Sequence, residues 1–232
     1  MLSIIIPTLN EEKYLPKLLD SVKNQSFKDY EIVVADYNSK DKTRQLAKKY
    51  GCRIVKGGKP PIARNNGAKA AKGGILFFID ADCIMGKDFL KKSLDEIKRK
   101  NLDAAGCYVW PLGKRIVDKI AFALFNFWIY ATQFFYPHAP GSGIFCKKSV
   151  HEKIRGFDEK IRLSEDMDYV RRAGKHGKFR ILSSVRTYTS MRRFDSEGRF
   201  NLFSKLFFSG LHRLLFGEIK TDKFKYGFNY KK

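Results

Sequence analysis

Acids are scarce in this chain. Asp and Glu number 24 against 46 Lys and Arg, a formal net charge of +22 over 232 residues. Such an excess implies an anionic partner: nucleic acid, an anionic membrane face or a phosphorylated substrate. Cysteine is scarce too. Cys52, Cys83, Cys107 and Cys146 form no CxxC pair and no zinc spacing, which excludes a disulfide scaffold and a zinc module. Cys107 and Cys146 lie in apolar strand-like runs and are expected to be buried free thiols, which fits a reducing cytoplasm. There is no internal repeat and no low-complexity linker. The amino terminus, Met1 to Pro7, lacks a basic n-region and reads as a first strand, not as a secretory leader. The hydrophobic content, 44%, suffices for one sizeable core with additions.

What is present alternates. Apolar strand patterns at Leu2–Ile6, Glu31–Ala35, Arg53–Val55, Gly74–Ile79 and Ala104–Trp110 are separated by helical patterns at Glu11–Lys23, Asp41–Tyr50, Ile62–Ala71 and Lys87–Lys98. That is the α/β signature. The second half predicts strands at Gly141–Cys146, Phe179–Leu182 and Val185–Ser190. Its helices are expected at Ser149–Ile154, Ser164–Lys175 and Arg199–Phe216.

Three of the strands end in polar groups: Pro7-Thr8-Leu9-Asn10-Glu11, Asp36-Tyr37-Asn38-Ser39, and Asp80-Ala81-Asp82. Parallel strands with right-handed crossovers bring such ends to one edge of a sheet, where open α/β sheets bind ligands. Asp36 and Glu11 there can hydrogen-bond a base or ribose. Asp80 and Asp82 can hold a hard divalent cation, and the cation a diphosphate. Helix capping by Asn10, Ser39 and Asp41 is the competing explanation. Arg64, near the start of a small-residue helix, can face an anion or be solvated. Glu165-Asp166 at another helix start can supply a base or simply favour the helix dipole. Asp168 is a weaker rival base. His138 and His212 have no partner pattern and read as structural or solvent-facing.

Taken in order, Ile6-Pro7-Thr8-Leu9-Asn10-Glu11, Val33-Val34-Ala35-Asp36 with Ser39-Lys40-Asp41-Lys42-Thr43, Ala63-Arg64-Asn65-Asn66-Gly67, Asp80-Ala81-Asp82, Gly156-Phe157-Asp158-Glu159 and Ser164-Glu165-Asp166 resemble family 2 glycosyltransferases of GT-A fold, across nearly the whole chain. The resemblance implies a mixed, mainly parallel sheet flanked by helices, with helical additions at about 111–140 and at the carboxyl terminus. It implies inverting transfer of a sugar from a nucleotide diphosphate sugar, with Mn²⁺ or Mg²⁺. Residues 1–110 become the nucleotide-sugar half, 111–195 the acceptor half and 196–232 a basic amphipathic extension. By the same resemblance Pro7, Glu11 and Asp36 hold the nucleoside, Asp80 and Asp82 meet ribose, diphosphate and metal, and Asp166 is the general base. The expected donor-binding set is Pro7, Thr8, Asn10, Glu11, Asp36, Ser39, Arg64, Asp80, Ala81, Asp82, Arg192 and Arg193, with Glu165 beside Asp166 in catalysis. Thr189-Ser190-Met191-Arg192-Arg193 resembles an ending found in some members. Ala35 departs from the paired acids often seen at the second strand end, which puts base recognition in question.

From Ile120 to Pro137 no residue carries a formal charge, and aromatics crowd the segment. A single membrane crossing there would part Asp82 from Asp166, and one active site needs both. The segment is therefore either buried or interfacial, with its aromatics at headgroup level. The basic, Phe-rich helix at Arg199–Phe216 favours the interfacial alternative and a peripheral enzyme on the cytoplasmic membrane face. The acceptor, a hydroxyl or a phosphate, is then lipid-linked or membrane-proximal, although a soluble glycan would also fit. A nucleic-acid-binding module would interleave basic residues with aromatics, whereas here the aromatics form a charge-free block. A non-catalytic nucleotide-sugar binder is the other alternative.

Overall fold

A computed structural model describes Met1–Thr221; the part of the expected extension at 222–232 lies outside the described residues. In chain order the elements are β1 (Leu2–Thr8), α1 (Leu15–Lys23), β2 (Tyr30–Asp36), α2 (Thr43–Lys49), β3 (Arg53–Lys56), α3 (Pro60–Ala70), β4 (Ile75–Phe78), β5 (Cys83–Met85), α4 (Phe89–Arg99), β6 (Ala104–Pro111), α5 (Ile116–Thr132), β7 (Ile144–Lys147), α6 (Lys148–Lys153), α7 (Glu165–His176), β8 (Phe179–Thr189), α8 (Arg192–Glu197) and α9 (Arg199–Phe216).

The strands form one sheet in the order β3-β2-β1-β4-β7-β6-β8-β5. The first four run parallel; β7 pairs antiparallel with β4 and β6, β8 runs parallel to β6, and β5 antiparallel to β8. This is the GT-A arrangement. It places β7, from the second half of the chain, between strands of the first half.

Alternation along β1 assigns its two faces. Ile4 and Ile6 pack with Leu15, Leu18 and Leu19 of α1 and Phe77 of β4, while Ile5 packs on the other face with Phe78 of β4 and Tyr169 of α7. Both faces are covered, as parallel strands require. Gly67 allows α3 to lie against β1: a Cβ there would stand 2.4 Å from Ile5 Cγ2.

Three features differ from the sequence expectation. The first helix begins at Leu15, not Glu11, because residues 9–12 are tied to the next strand loop. The strands expected at 179–182 and 185–190 are one, β8, with a register shift opposite Cys107 and Tyr108. Glu96 of α4 holds that irregularity by accepting from the backbone and hydroxyl groups of Ser183 and Ser184. Finally, β5 and α8 are short elements with no periodicity to announce them.

The helix α5 presents two unlike stripes over the charge-free segment Ile120–Pro137. One stripe is buried, with Phe122, Asn126 and Ile129 inward, and Asn126 closes a pair of hydrogen bonds to the Val109 backbone. The opposite stripe is exposed: Leu124 at 65% and Phe127 at 70%, with Phe135 at 77% beyond the helix. No helix among the described residues is long and apolar enough to cross a membrane.

Candidate active site

The carboxyl ends of β1, β2 and β4 meet at one edge of the sheet. Their loops are laced together before any ligand is considered. Thr8 Oγ1 donates to Asp36 Oδ1 at 3.0 Å, and Ser39 donates to the same carboxylate from its hydroxyl at 2.5 Å and its backbone N–H at 3.0 Å. The Asn10 backbone N–H donates to Ser39 Oγ, and the Asn10 side chain accepts from the Lys40 N–H. The Glu11 N–H donates to Thr43 Oγ1 at 2.7 Å. Asn10 holds a left-handed backbone at φ 55°, which Asn tolerates better than most residues. So Asn10, Asp36 and Ser39 brace the rim, and their side chains are already engaged.

Beside that rim lies a cavity of about 820 Å³. Pro7, Thr8, Glu11, Arg64, Asp80, Ala81, Asp82, Glu165, Asp166, Arg192 and Arg193 all line it, whereas Asn10, Asp36 and Ser39 do not. The fold thus brings acids that stand more than 80 positions apart, Asp80–Asp82 and Glu165–Asp166, onto one wall.

Arg64 joins them. Its side chain is only 4% exposed, with Nη2 2.9 Å from Asp80 Oδ1 and Nη1 2.5 Å from Glu165 Oε1. Burial alone would lower its pKa, but Asp80, Glu165 and Asp166 together raise it, so the guanidinium stays charged. The arginine expected to face an anion at a helix start is instead a buried brace between the two acid pairs. Gly141 is the residue that leaves it room: a Cβ there would stand 2.5 Å from Arg64 Nη2.

Asp166 accepts the Gly141 N–H at 2.6 Å and the Met167 N–H at 2.8 Å. Burial pushes its carboxyl up to about 6, reinforced by the adjacent Glu165 and opposed by Arg64. Such a value suits a general base near neutral pH. Ser164, immediately before the helix, takes a left-handed backbone at φ 61°, uncommon for serine. The rivals are occupied: Glu165 by Arg64, and Asp168 by Arg172 at 2.8 Å and Arg171 at 3.6 Å.

On the donor side, Arg192 of α8 forms a fork with Glu11, both contacts 2.7 Å, and its Nε lies 3.1 Å from Asp82 Oδ2. Its guanidinium stacks 4.4 Å from the Tyr14 ring. Ser190 Oγ donates to the same Asp82 oxygen at 2.6 Å. Burial raises the pKa of both Glu11 and Asp82, and Arg192 works against it in each. Asp80 and Asp82, two carboxylates spaced i, i+2, are of the type that holds a hard divalent cation, and each already faces a guanidinium, Asp80 that of Arg64 and Asp82 that of Arg192, with which the cation would share it. Among the described residues no third Asp, Glu, His or Cys joins them, so a diphosphate would have to complete the coordination. His138 is elsewhere, buried with Nδ1 2.6 Å from the Tyr136 carbonyl and its ring against Trp128.

Sequence reasoning passed over Tyr37, Lys59, Arg162, Phe125 and Leu206, all of which line the cavity. A signal existed for Lys59. It follows Gly57-Gly58 and precedes Pro60 at the start of α3, a turn pattern that presents a helix amino terminus to an anion. The others come from tertiary placement alone.

A family model described as "Glycosyl transferase family 2" matches residues 3–122. A Methanococcus voltae protein named dolichyl N-acetyl-alpha-D-glucosaminyl phosphate 3-beta-D-2,3-diacetamido-2,3-dideoxy-beta-D-glucuronosyltransferase is 28% identical, over 84% of this chain and 70% of its own length. The structure of Staphylococcus aureus TarS 1-349 in complex with UDP-GlcNAc superposes with a TM-score of 0.67 at 26% identity, over 82% of this chain and 58% of that one. A mannosyltransferase from Pyrobaculum calidifontis, in complex with GDP-Man and Mn²⁺, shares the fold at a TM-score of 0.71 and 19% identity, over 90% and 61%. This chain spans a little under two thirds of both solved structures.

Proposed function

The chain belongs to glycosyl transferase family 2, and from that premise we propose that it moves a sugar from a nucleoside diphosphate sugar to a lipid-linked acceptor, with inversion at the anomeric carbon. One observation carries the reading: a single cavity holds the strand-end acids, a base candidate with a raised pKa and the arginine that links them. The donor half is 1–110 and the acceptor half 111–195. The rim at Pro7, Thr8 and Glu11 receives the nucleoside, with Asp36 holding Thr8 from behind. Asp80, Ala81 and Asp82 lie toward the ribose and diphosphate. Arg192 and Arg193 can exchange a carboxylate partner for phosphate oxygens. A Mg²⁺ or Mn²⁺ on Asp80 and Asp82 would supply the positive charge that neutralises the diphosphate leaving group.

Asp166 then takes the proton of the acceptor hydroxyl as its oxygen bonds to the anomeric carbon and the bond to the diphosphate breaks, the electron pair leaving with the diphosphate. A base points to a hydroxyl nucleophile. A phosphate acceptor, ionised at neutral pH, would not need one. Arg64 holds Glu165 and Asp80 in ion pairs, and its charge opposes the rise of the Asp166 pKa.

The membrane reading rests on α5 and α9. Lys114, Arg115 and Lys119 are exposed beside exposed Ile116, Val117 and Ile120, and α9 shows Phe200, Phe207, Phe208, Leu215 and Phe216. Exposed apolar residues flanked by basic ones fit an anionic bilayer surface, here the cytoplasmic face. The test is calorimetric titration with UDP-sugars and GDP-sugars, with Mn²⁺ and with EDTA, beside a nucleic-acid shift assay. Mn²⁺-dependent binding of one donor class is expected. No nucleotide binding, or a nucleic-acid shift in its place, overturns the reading; donor binding without transfer to any lipid-linked acceptor would leave a non-catalytic binder.

A further inference from the structure

The first turn of α7 carries Asp166, and the end of α9 is packed behind it. Arg213, in the last turn of α9, is buried, with its side chain 4% exposed. Its Nε and Nη2 lie 2.8 and 3.3 Å from the two carboxylate oxygens of Glu218, and its Nη1 reaches the Met167 sulfur at 3.0 Å. Met167 directly follows Asp166, and its N–H is one of the two backbone donors to that carboxylate. Glu218 also pairs with Arg171 of α7. Gly217 lets the chain turn back to this position, with φ 82°, a backbone that favours glycine. The next residues stay docked: Ile219 is buried, and its carbonyl accepts the Arg162 N–H at 2.8 Å.

A buried charge persists only where partners offset its desolvation. Burial would lower the pKa of Arg213, but Glu218, Tyr136 and Asp166 raise it, so the guanidinium stays charged. Its charge is felt on the loop that supplies the second donor, Gly141 N–H, as well: burial lowers the pKa of His138 in that loop, and Arg213 lowers it further. Behind the base three guanidiniums, Arg171, Arg172 and Arg213, share two carboxylates, Asp168 and Glu218. That leaves net positive charge on the rear of the turn. On its other sides Asp166 meets Glu165 of its own helix and Arg64 of α3, the latter paired with Asp80. Lys59, Arg162, Arg192, Arg193, Glu11 and Asp82 stand around the same cavity.

We propose that Arg213 is a positioning residue for the base: with Glu218 it fixes the first turn of α7 from behind and presents a positive charge to the Asp166 carboxylate. The proposal rests on the reading of Asp166 as the base, and it makes the carboxyl-terminal extension part of the active site. Arginine suits the task because one planar fork can hold Glu218 through two nitrogens and still reach Met167 with the third. A pair that merely capped α9 would hold the helix end and leave the ionisation of Asp166 unchanged.

The test reads the Asp166 carboxyl directly, by ¹³C NMR of the full chain labelled at its aspartate carboxyls and without added metal. The signal is assigned by its loss in Asp166→Asn. The wild-type midpoint is expected at about 6. Arg213→Gln removes a positive charge that favours the carboxylate, so the midpoint should rise by about half a pH unit or more. Arg213→Lys keeps the charge but not the fork; its midpoint should return toward the wild-type value while its Tm stays lower. Glu218→Gln serves as the second variant should Arg213→Gln fold poorly. It removes a negative charge, so the midpoint should fall. A midpoint unmoved in Arg213→Gln, or equally raised in Arg213→Lys, would make Arg213 a cap of α9 and overturn the proposal. So would a midpoint that does not fall in Glu218→Gln. Turnover of UDP- and GDP-sugars to water, followed over pH in the same variants, separates the proposal from the reading beneath it. Its acid limb should move with the NMR midpoint. If the midpoint moves and the acid limb does not, Asp166 is not the base, and the support by Arg213 stands.

Discussion

Replacing Arg192 with Gln should destabilise the fold in a manner that depends on pH. In the wild type one guanidinium serves two acids, Glu11 through both nitrogens at 2.7 Å and Asp82 with Nε at 3.1 Å. All three side chains are 16% exposed or less. A charge pair at about 4 Å contributes about 4 kcal/mol at an effective dielectric of 20, and stranding a buried partner costs about 3–5 kcal/mol. The edge of the cavity admits some water, so about 3 kcal/mol is a fair expectation. For a chain of this size that lowers Tm by about 6–12 °C.

The sign with pH follows from the carboxylates. Burial raises the folded pKa of Glu11 above 4.5 and of Asp82 above 3.8, and Arg192 pulls both back. Without Arg192 they rise further. Between the unfolded values and those raised values the folded state binds more protons, so stability falls as pH increases through that window. The deficit of the variant should therefore be largest at pH 8 and shrink toward pH 5. Mn²⁺ alone should raise the Tm of Arg192→Gln more than that of the wild type, because a cation bound to the native state stabilises it by mass action. Thermal melts at both pH values, with and without Mn²⁺, measure all of this. A variant that melts with the wild type at pH 8, or whose deficit ignores pH, would refute the reasoning.

The remaining expectations are briefer. Asp82→Asn should retain the fold and lose transfer by about 10²-fold or more if metal stabilisation contributes about 3 kcal/mol; full turnover in this variant, or by the wild type in excess EDTA, removes the metal role. The wild-type kcat/KM should fall about tenfold per pH unit below about 6, because Asp166 must be deprotonated to act; a profile flat down to pH 4.5 would assign the base elsewhere. Phe207→Ser with Leu211→Ser should reduce binding to anionic liposomes, and high salt should release the protein only in part, since the screening length falls to ~3 Å at 1 M; absence of binding at low salt would remove the membrane reading.

The sheet and its acid-bearing edge were legible because they obey local rules. A strand buried on both faces is a run of apolar residues, and a carboxylate at its end stands out against so basic a chain. The cavity set was legible in part for the same reason: Glu11, Asp80, Asp82 and Asp166 all line it. Arg64 was legible as a helix-start arginine but not as a brace, because its partner Glu165 is 101 residues away and nothing local encodes the pair. Asn10 and Ser39 show the converse. Their types suggested both ligand binding and capping, and only the folded loops show them tied to each other. The bulge in β8 depends on Glu96, a residue of α4 that reads as one more charge on a surface helix. Its pKa is about 2: burial would raise it, but hydrogen bonds from Lys100, Ser184 and Ser183 outweigh that. The exposed stripe of α5 was undecidable from composition, since a charge-free run suits a core and an interface equally well.

The most direct test of the account is a paired measurement on Asp166→Asn: the rate of sugar transfer and the affinity for the donor in the same preparation. The substitution preserves shape and cannot accept a proton, but its amide keeps only one of the two backbone hydrogen bonds, since both carboxylate oxygens accept from N–H groups, so a melt of the variant accompanies the rate. The account predicts transfer slowed by roughly 10²–10⁴-fold with donor affinity within about threefold of the wild type. Transfer at the wild-type rate would contradict it, and if Glu165→Gln were then the inactive variant, the base would be the neighbouring carboxylate that Arg64 holds.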